Sequence, residues 1–213
     1  MPAKSDREYR NMTIEIRAAE SITEEPKMIV RGYASTFNEP YTLYEDDDIR
    51  VDEMVDAGAF KDTDMADVIM QYDHQGRVFA RISNNTLTVE PDEKGLLIEA
   101  DLGGTELGRQ LYEEIRGGYT NKMSFGFTVS DDDWSKGKTE DGKRLSTRTI
   151  KSVRKLYDVS AVSLPANDAT SISVRSLTDG VIEEARAERL EAEELELRRR
   201  KLIAKSKLIG GQK

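Results

Sequence analysis

The 213-residue chain has no cysteine and a single histidine. Without cysteine there is no disulfide, no thiolate nucleophile and no cysteine-bearing zinc site, and one imidazole cannot build the usual transition-metal ligand cluster. Metal chemistry is therefore disfavoured and no cofactor is expected. No run approaches the ~18 to 20 apolar residues of a membrane span, and the opening MPAKSDREYRN has no apolar segment behind its charges, so neither a membrane nor a secretory signal is expected. A phosphate-binding loop and a G-x-G-x-x-G turn are missing as well. Positive charge is in deficit. With 32 Lys plus Arg against 41 Asp plus Glu, the net charge of −9 argues against direct nucleic-acid binding. The 5 Pro and 15 Gly are scattered, with no glycine run longer than two, and no fixed-period repeat is found, which excludes low-complexity and solenoid architectures.

What is there is 37% hydrophobic and 34% charged. That is more charge than the roughly 25% of an ordinary domain, and it predicts one modest core with a polar appendage. Residues 1–11 are polar and read as a flexible N-terminus. Met12, Ile14 and Ile16 then alternate with polar neighbours, the period of a half-buried strand, and 27–37 reads as another, with Gly32 marking a bulge or close approach. Segment 41–56 is acidic and irregular. Short strands are predicted at 68–72 and 78–82, and a hairpin at 87–89 and 96–102 around the turn residues 91–95. Leu107, Leu111, Tyr112 and Ile115 recur at helical spacing and close on Gly117-Gly118. Segment 123–129 is strand-like, 131–143 a charged loop, and β structure is predicted from 147 to about 174. Beyond Ser176, the stretch 181–208 lacks Gly and Pro and turns from acidic to basic after Glu196, as in a solvated helix. The chain thus divides into a flexible start at 1–11, a β-rich domain at 12–176 and a charged helical tail at 177–213.

Three positions carry candidate chemistry, each with two readings. His74 ends the apolar run 68–72 beside Gly76. Its imidazole suits general-base work if a partner exists, and is otherwise an ordinary histidine. Ser124 stands in Lys-Met-Ser-Phe-Gly-Phe (122–127), where alternation puts Met123, Phe125 and Phe127 on one face and Ser124 with Gly126 on the other. The two small residues either make room for a substrate backbone or form a merely polar outer face. A nucleophile elbow is excluded, because Lys122 occupies the first glycine position of G-x-S-x-G. Asp158, set among Leu156, Val159 and Val162, needs a partner, which is either an imidazole or an Arg or Lys. The acid runs 45–48 and 131–133 lack the glycine and glutamate of a calcium loop and read as solvated. Asp52 and Glu53 form a carboxylate pair whose spacing is uninformative in so acidic a chain.

Taken in order, Tyr72-Asp-His74, the Gly117-Gly118 ending followed by 122–127, and the block 156–167 (Leu-Tyr-Asp-Val-Ser-Ala-Val-Ser-Leu-Pro-Ala-Asn) resemble the prohead (capsid maturation) protease family of tailed bacteriophages. The stretches 31–37 and 58–60 extend the resemblance over about 28–175. It implies a β-rich α+β fold, a closed β-barrel ringed by a few helices as in herpesvirus assemblin, with the charged helix appended. It also implies a serine endopeptidase acting in the host cytoplasm, inside the immature capsid, on the scaffold segment of the major capsid protein and on itself. In that family's pattern Ser124 is the nucleophile, His74 the general base and Asp158 the third member, where the family commonly has Glu. The oxyanion would be met by backbone N–H groups that the sequence does not locate. The tail is expected to be a targeting or self-processed segment able to pair with scaffold helices. Homo-oligomerisation is left open. The alternative is a non-enzymatic scaffold or assembly protein that keeps a degenerate protease barrel.

Overall fold

Period-two alternation of apolar residues is converted into sheet along most of the chain. The computed structural model describes residues 6–15, 17–18, 27–162 and 172–210. Pro165, Ala166 and Asn167, the last step of the resemblance, lie outside the described residues. In chain order the strands are β1 (Glu8–Glu15), β2 (Arg17–Ala18), β3 (Ile29–Thr36), β4 (Tyr41–Glu45), β5 (Ile49–Val55), β6 (Ile69–Tyr72), β7 (Gln75–Arg81), β8 (Leu87–Pro91), β9 (Gly95–Asp101), β10 (Lys122–Lys138) and β11 (Arg144–Val162). Helix α1 (Glu106–Arg116) separates β9 from β10, and α2 (Ile172–Gly210) follows β11. The β-rich α+β class expected from the sequence is what the chain adopts.

Two sheets result. One runs β1-β10-β11-β5-β4, with β6 pairing β11 farther along and β7 pairing β6; the other runs β2-β3-β9-β8. Among the described residues these pairings do not join into one closed barrel. The long β10–β11 hairpin is the spine: its distal half pairs β5 in parallel, and its proximal half pairs β6 in parallel over 158–161. Phe37, Phe60, Met70, Leu96, Ile98, Phe125, Phe127, Leu156 and Val159, drawn from both sheets and their connections, fill one core. Each such side chain contributes roughly 1.5–3 kcal/mol on burial. Within the second sheet β3 and β9 approach closely at Gly95, where a Cβ would lie 2.0 Å from the Ser35 carbonyl oxygen.

Helix α1 obeys its sequence signals. The Thr105 hydroxyl accepts the Gly108 N–H at 3.0 Å, Leu111 and Ile115 are buried, and Gly118 takes φ 75° just past the end.

Four expectations need correcting. Residues 8–11, assigned above to a flexible start, belong to β1, because Glu8 and Arg10 meet complementary charges in the interior. The acidic stretch 41–56 is mostly the hairpin β4–β5, whose inward Glu53 is neutralised by Arg10 and Arg148. The expected loop 131–143 is largely ribbon, its acids alternating between exposed Asp131 and Asp133 and half-buried Asp132, which pairs Arg148 at 2.7 Å. Residues 172–174, expected as the end of the β region, open α2 instead. Helix α2 is docked through Val181 and Ile182, which are buried with Ile49 and Val51 and packed by Tyr44, Trp134 and Ala185.

Candidate active site

The register of β10 against β11 sets Ser124 opposite Ser160 and Gly126 opposite Asp158, so all four share one face while Phe125, Phe127 and Val159 enter the core. His74 comes from a different device. Tyr72 pairs Gln75 across a two-residue turn whose central residues, Asp73 and His74, both take left-handed backbone, φ 47° and 57°. Two such values define the tight primed turn that matches strand twist, and they are uncommon for residues with a Cβ, although Asn, Asp and His adopt them more readily than the rest.

The turn carries the imidazole across to the hairpin face. His74 Nδ1 lies 2.5 Å from Asp158 Oδ1, and Nε2 lies 2.5 Å from Ser124 Oγ. The three residues singled out from the sequence are thus brought into one hydrogen-bonded row. Burial pushes the Asp158 carboxyl up, but the hydrogen bond and charge of His74, the Arg7 guanidinium and the Ser160 hydroxyl outweigh it and hold it below the usual carboxylate range. An ionised Asp158 only accepts, so Nδ1 carries the ring proton and Nε2 is free to accept from Ser124. Asp158 and Ser124 are 0% exposed, whereas the His74 side chain is 16% exposed. The Ser124 hydroxyl has a second acceptor, the Arg10 carbonyl at 2.9 Å.

Sequence reasoning missed several members. The Ser160 hydroxyl donates to Asp158 Oδ1 at 2.9 Å. Its signal was available, since it stands two residues from Asp158 on the same strand face. Arg7 donates from Nη2 to Asp158 Oδ2 and lies over the rings of Tyr157 and Tyr9, 4.4 and 5.1 Å from their centroids. Tyr9 meets the His74 ring edge-on at 4.5 Å. The space over Gly126, read from the sequence as room for substrate, is taken by these groups: a Cβ there would come 2.4 Å from Asp158 Oδ2 and 2.9 Å from the Tyr9 ring.

Beside the row lies a buried ionic network. Arg10 binds Glu53 through two nitrogens at 2.5 and 2.9 Å and Glu8 at 2.5 Å, while Arg148 reaches Glu8 and Glu53 at 2.7 and 2.8 Å. Burial raises the Glu53 carboxyl, but Arg10 and Arg148, with the Tyr41 hydroxyl, hold it well below its ordinary value. Two other acids of the stretch 45–53 have structural partners. Asp52 accepts from Arg50 and Thr42, and Asp46 accepts the N–H groups of Asp48 and Ile49. Among the described residues no group of three or more His, Cys, Asp or Glu is placed to hold a metal, and no helix is long and apolar enough to cross a membrane.

Residues 12–182 match the family model described as caudovirus prohead serine protease. No curated protein and no solved structure matches the chain.

Proposed function

The chain belongs to the caudovirus prohead serine proteases, and from that premise we propose that Ser124, His74 and Asp158 hydrolyse peptide bonds as nucleophile, general base and orienting acid. The family's role is proteolysis during capsid maturation. The observation that carries the residue assignment is the unbroken row from Asp158 through His74 to Ser124, 2.5 Å at each step, inside the matched region.

In the proposed reaction His74 Nε2 takes the Ser124 proton as Oγ attacks the peptide carbonyl, and Asp158 stabilises the imidazolium. The ring then protonates the leaving amine, and water, deprotonated by the same nitrogen, releases the acyl group. Because Ser124 has no exposed surface, a substrate reaches it through local opening, in which the hydroxyl gives up its bond to the Arg10 carbonyl and keeps the one to His74 Nε2. The two sheets enclosing one core support an assemblin-like arrangement short of its barrel closure. The substrate in this reading is the scaffold segment of the major capsid protein, cleaved inside the prohead in the host cytoplasm, and the chain trims itself.

The test is to incubate the purified chain with capsid protein bearing its scaffold segment and read intact masses over hours. Ser124→Ala should melt like the parent and lose cleavage, by about 10⁶ in turnover if the site behaves as subtilisin does. Processing by the alanine variant at the parental rate overturns the assignment, and a parent that never cleaves leaves the scaffold-protein reading.

A further inference from the structure

We propose that Arg7 is a positioning residue for the site: its guanidinium holds Oδ2 of Asp158 so that Oδ1 faces the His74 ring. The inference rests on the serine-peptidase reading and goes beyond it, because the family match begins at residue 12 and Arg7 lies upstream of it.

A carboxylate on a strand turns freely about its last torsion unless both oxygens are held. Oδ1 of Asp158 is held by His74 and Ser160. Oδ2 is held by Arg7, over the gap left by Gly126. Removing Arg7 leaves a buried oxygen without that donor, and the group then gains by turning toward other donors at the expense of its bond to the ring. The guanidinium is itself fixed, stacked on Tyr157 and Tyr9, and Tyr9 in turn packs its ring against His74. One stack thus orients the acid and walls the base.

A role in merely anchoring β1 is the competing explanation. It is unnecessary, because β1 is tied to β10 from Glu8 to Met12 by the ladder and by fully buried Arg10, which binds Glu53. Arg7 itself is 36% exposed, so solvent screens part of its coulombic effect on Asp158, while its bond to Oδ2 still fixes which way the carboxylate faces.

The single histidine makes the test direct, since its Nδ1–H proton is one downfield resonance in ¹⁵N-labelled protein and reports the bond to Asp158 whether or not peptide is cleaved. Parent, Arg7→Ala, Arg7→Lys, a chain lacking residues 1–7 and the surface control Arg154→Ala are compared by this resonance, by kcat and KM on a scaffold peptide, and by the rate at which a fluorophosphonate acylates Ser124. Arg7→Ala and the truncation should shift or broaden the resonance and lower kcat and acylation about ten- to a hundredfold, the range of a lost charge-assisted hydrogen bond, with KM within about twofold. Arg7→Lys should recover part of each, and Arg154→Ala should match the parent. An Arg7→Ala protein with the parental resonance overturns the proposal, as does a kcat loss that lysine does not relieve and that follows a lowered melting midpoint. A parent that neither cleaves nor acylates, while its resonance still responds to Arg7→Ala, removes the peptidase reading and leaves the positioning role standing.

Discussion

Replacing Gly126 by alanine tests the site through one carbon atom. In the folded chain that Cβ would sit 2.4 Å from Asp158 Oδ2, where contacts of 3.4 Å or more are ordinary, so about 1 Å of movement is demanded. The Arg7 and Tyr9 atoms at 3.1 and 2.9 Å belong to side chains that can shift, but the Asp158 carboxylate is short, buried and bonded to His74 at 2.5 Å. Moved by ~1 Å away from the ring, it leaves the range of a good hydrogen bond. Misplacement on that scale costs about 10²-fold, and complete loss of an orienting acid about 10⁴-fold, so kcat should fall within those bounds.

Stability should change little by comparison. The glycine lies within β10 and outside the left-handed region, so alanine regains roughly 0.5–1 kcal/mol of backbone entropy against ~1–3 kcal/mol of local crowding. Scaffold-peptide kinetics and a thermal melt on the same preparation separate the two. If Gly126→Ala cleaves at the parental rate with an unchanged melt, the missing side chain at residue 126 does not serve the Asp158–His74 contact and the reasoning fails.

Three further outcomes follow from the same geometry. Asp158→Asn should keep measurable cleavage while Ser124→Ala and His74→Ala keep none, since in subtilisin losing the acid costs about 3 × 10⁴ against about 10⁶ for the others; Asp158→Glu should exceed Asn if the face accepts another methylene, and parental cleavage by Asn would reduce the site to a dyad. Glu53→Gln leaves Arg10 and Arg148 buried with one anion fewer and should lower stability by about 3–5 kcal/mol in urea titrations. The Glu53 carboxyl is lower in the folded chain than its ordinary 4.5, so its contribution is full above about pH 4.5 and is lost as pH falls through the lowered value; a parental stability curve identical to that of Glu53→Gln across this window would refute the pairing. Deleting 191–213 should leave the melt unchanged, whereas deleting 177–213 uncovers Ile49, Val51 and Trp134 and should lower the midpoint, with equal midpoints refuting the docking of α2.

The legible parts of this chain were those where side-chain character and period agreed. Ser124 and Gly126 fell on the strand face opposite Met123, Phe125 and Phe127, α1 carried helical spacing and a glycine stop, and the 87–102 hairpin had its turn residues. What escaped notice was polar and inward. Glu53, Arg10 and Arg148 break the apolar alternation that marks a buried strand, and the pairs Arg10–Glu53, Glu53–Arg148 and Glu8–Arg148 span 43, 95 and 140 residues, beyond any local pattern. Arg7 has the same problem, reaching Asp158 across 151 residues. The distal β10–β11 ribbon was mistaken for a loop because one of its faces is solvent and its charges hide the period. The barrel came with the resemblance and not from any residue pattern.

Placement of the base on a turn follows from strand spacing. Ser124 is on β10 and β6 is two strands away across β11, about 9.5 Å at the usual spacing, while side chains on a sheet stand upright. A histidine within β6 would not bridge that distance. From the turn after Tyr72 the ring instead crosses over β11, bonding Asp158 on the way and Ser124 beyond. Left-handed backbone at a residue with a Cβ costs roughly 1–2 kcal/mol, and folding alone would favour asparagine then glycine at these two positions. The cost is borne because β11 holds the turn, through its parallel pairing with β6 and through the Asp73 N–H donated to the Ala161 carbonyl at 3.0 Å. Strain kept where glycine would relieve it points to a demand on the side chain, and the one group at that position able to accept a proton from Ser124 is the imidazole.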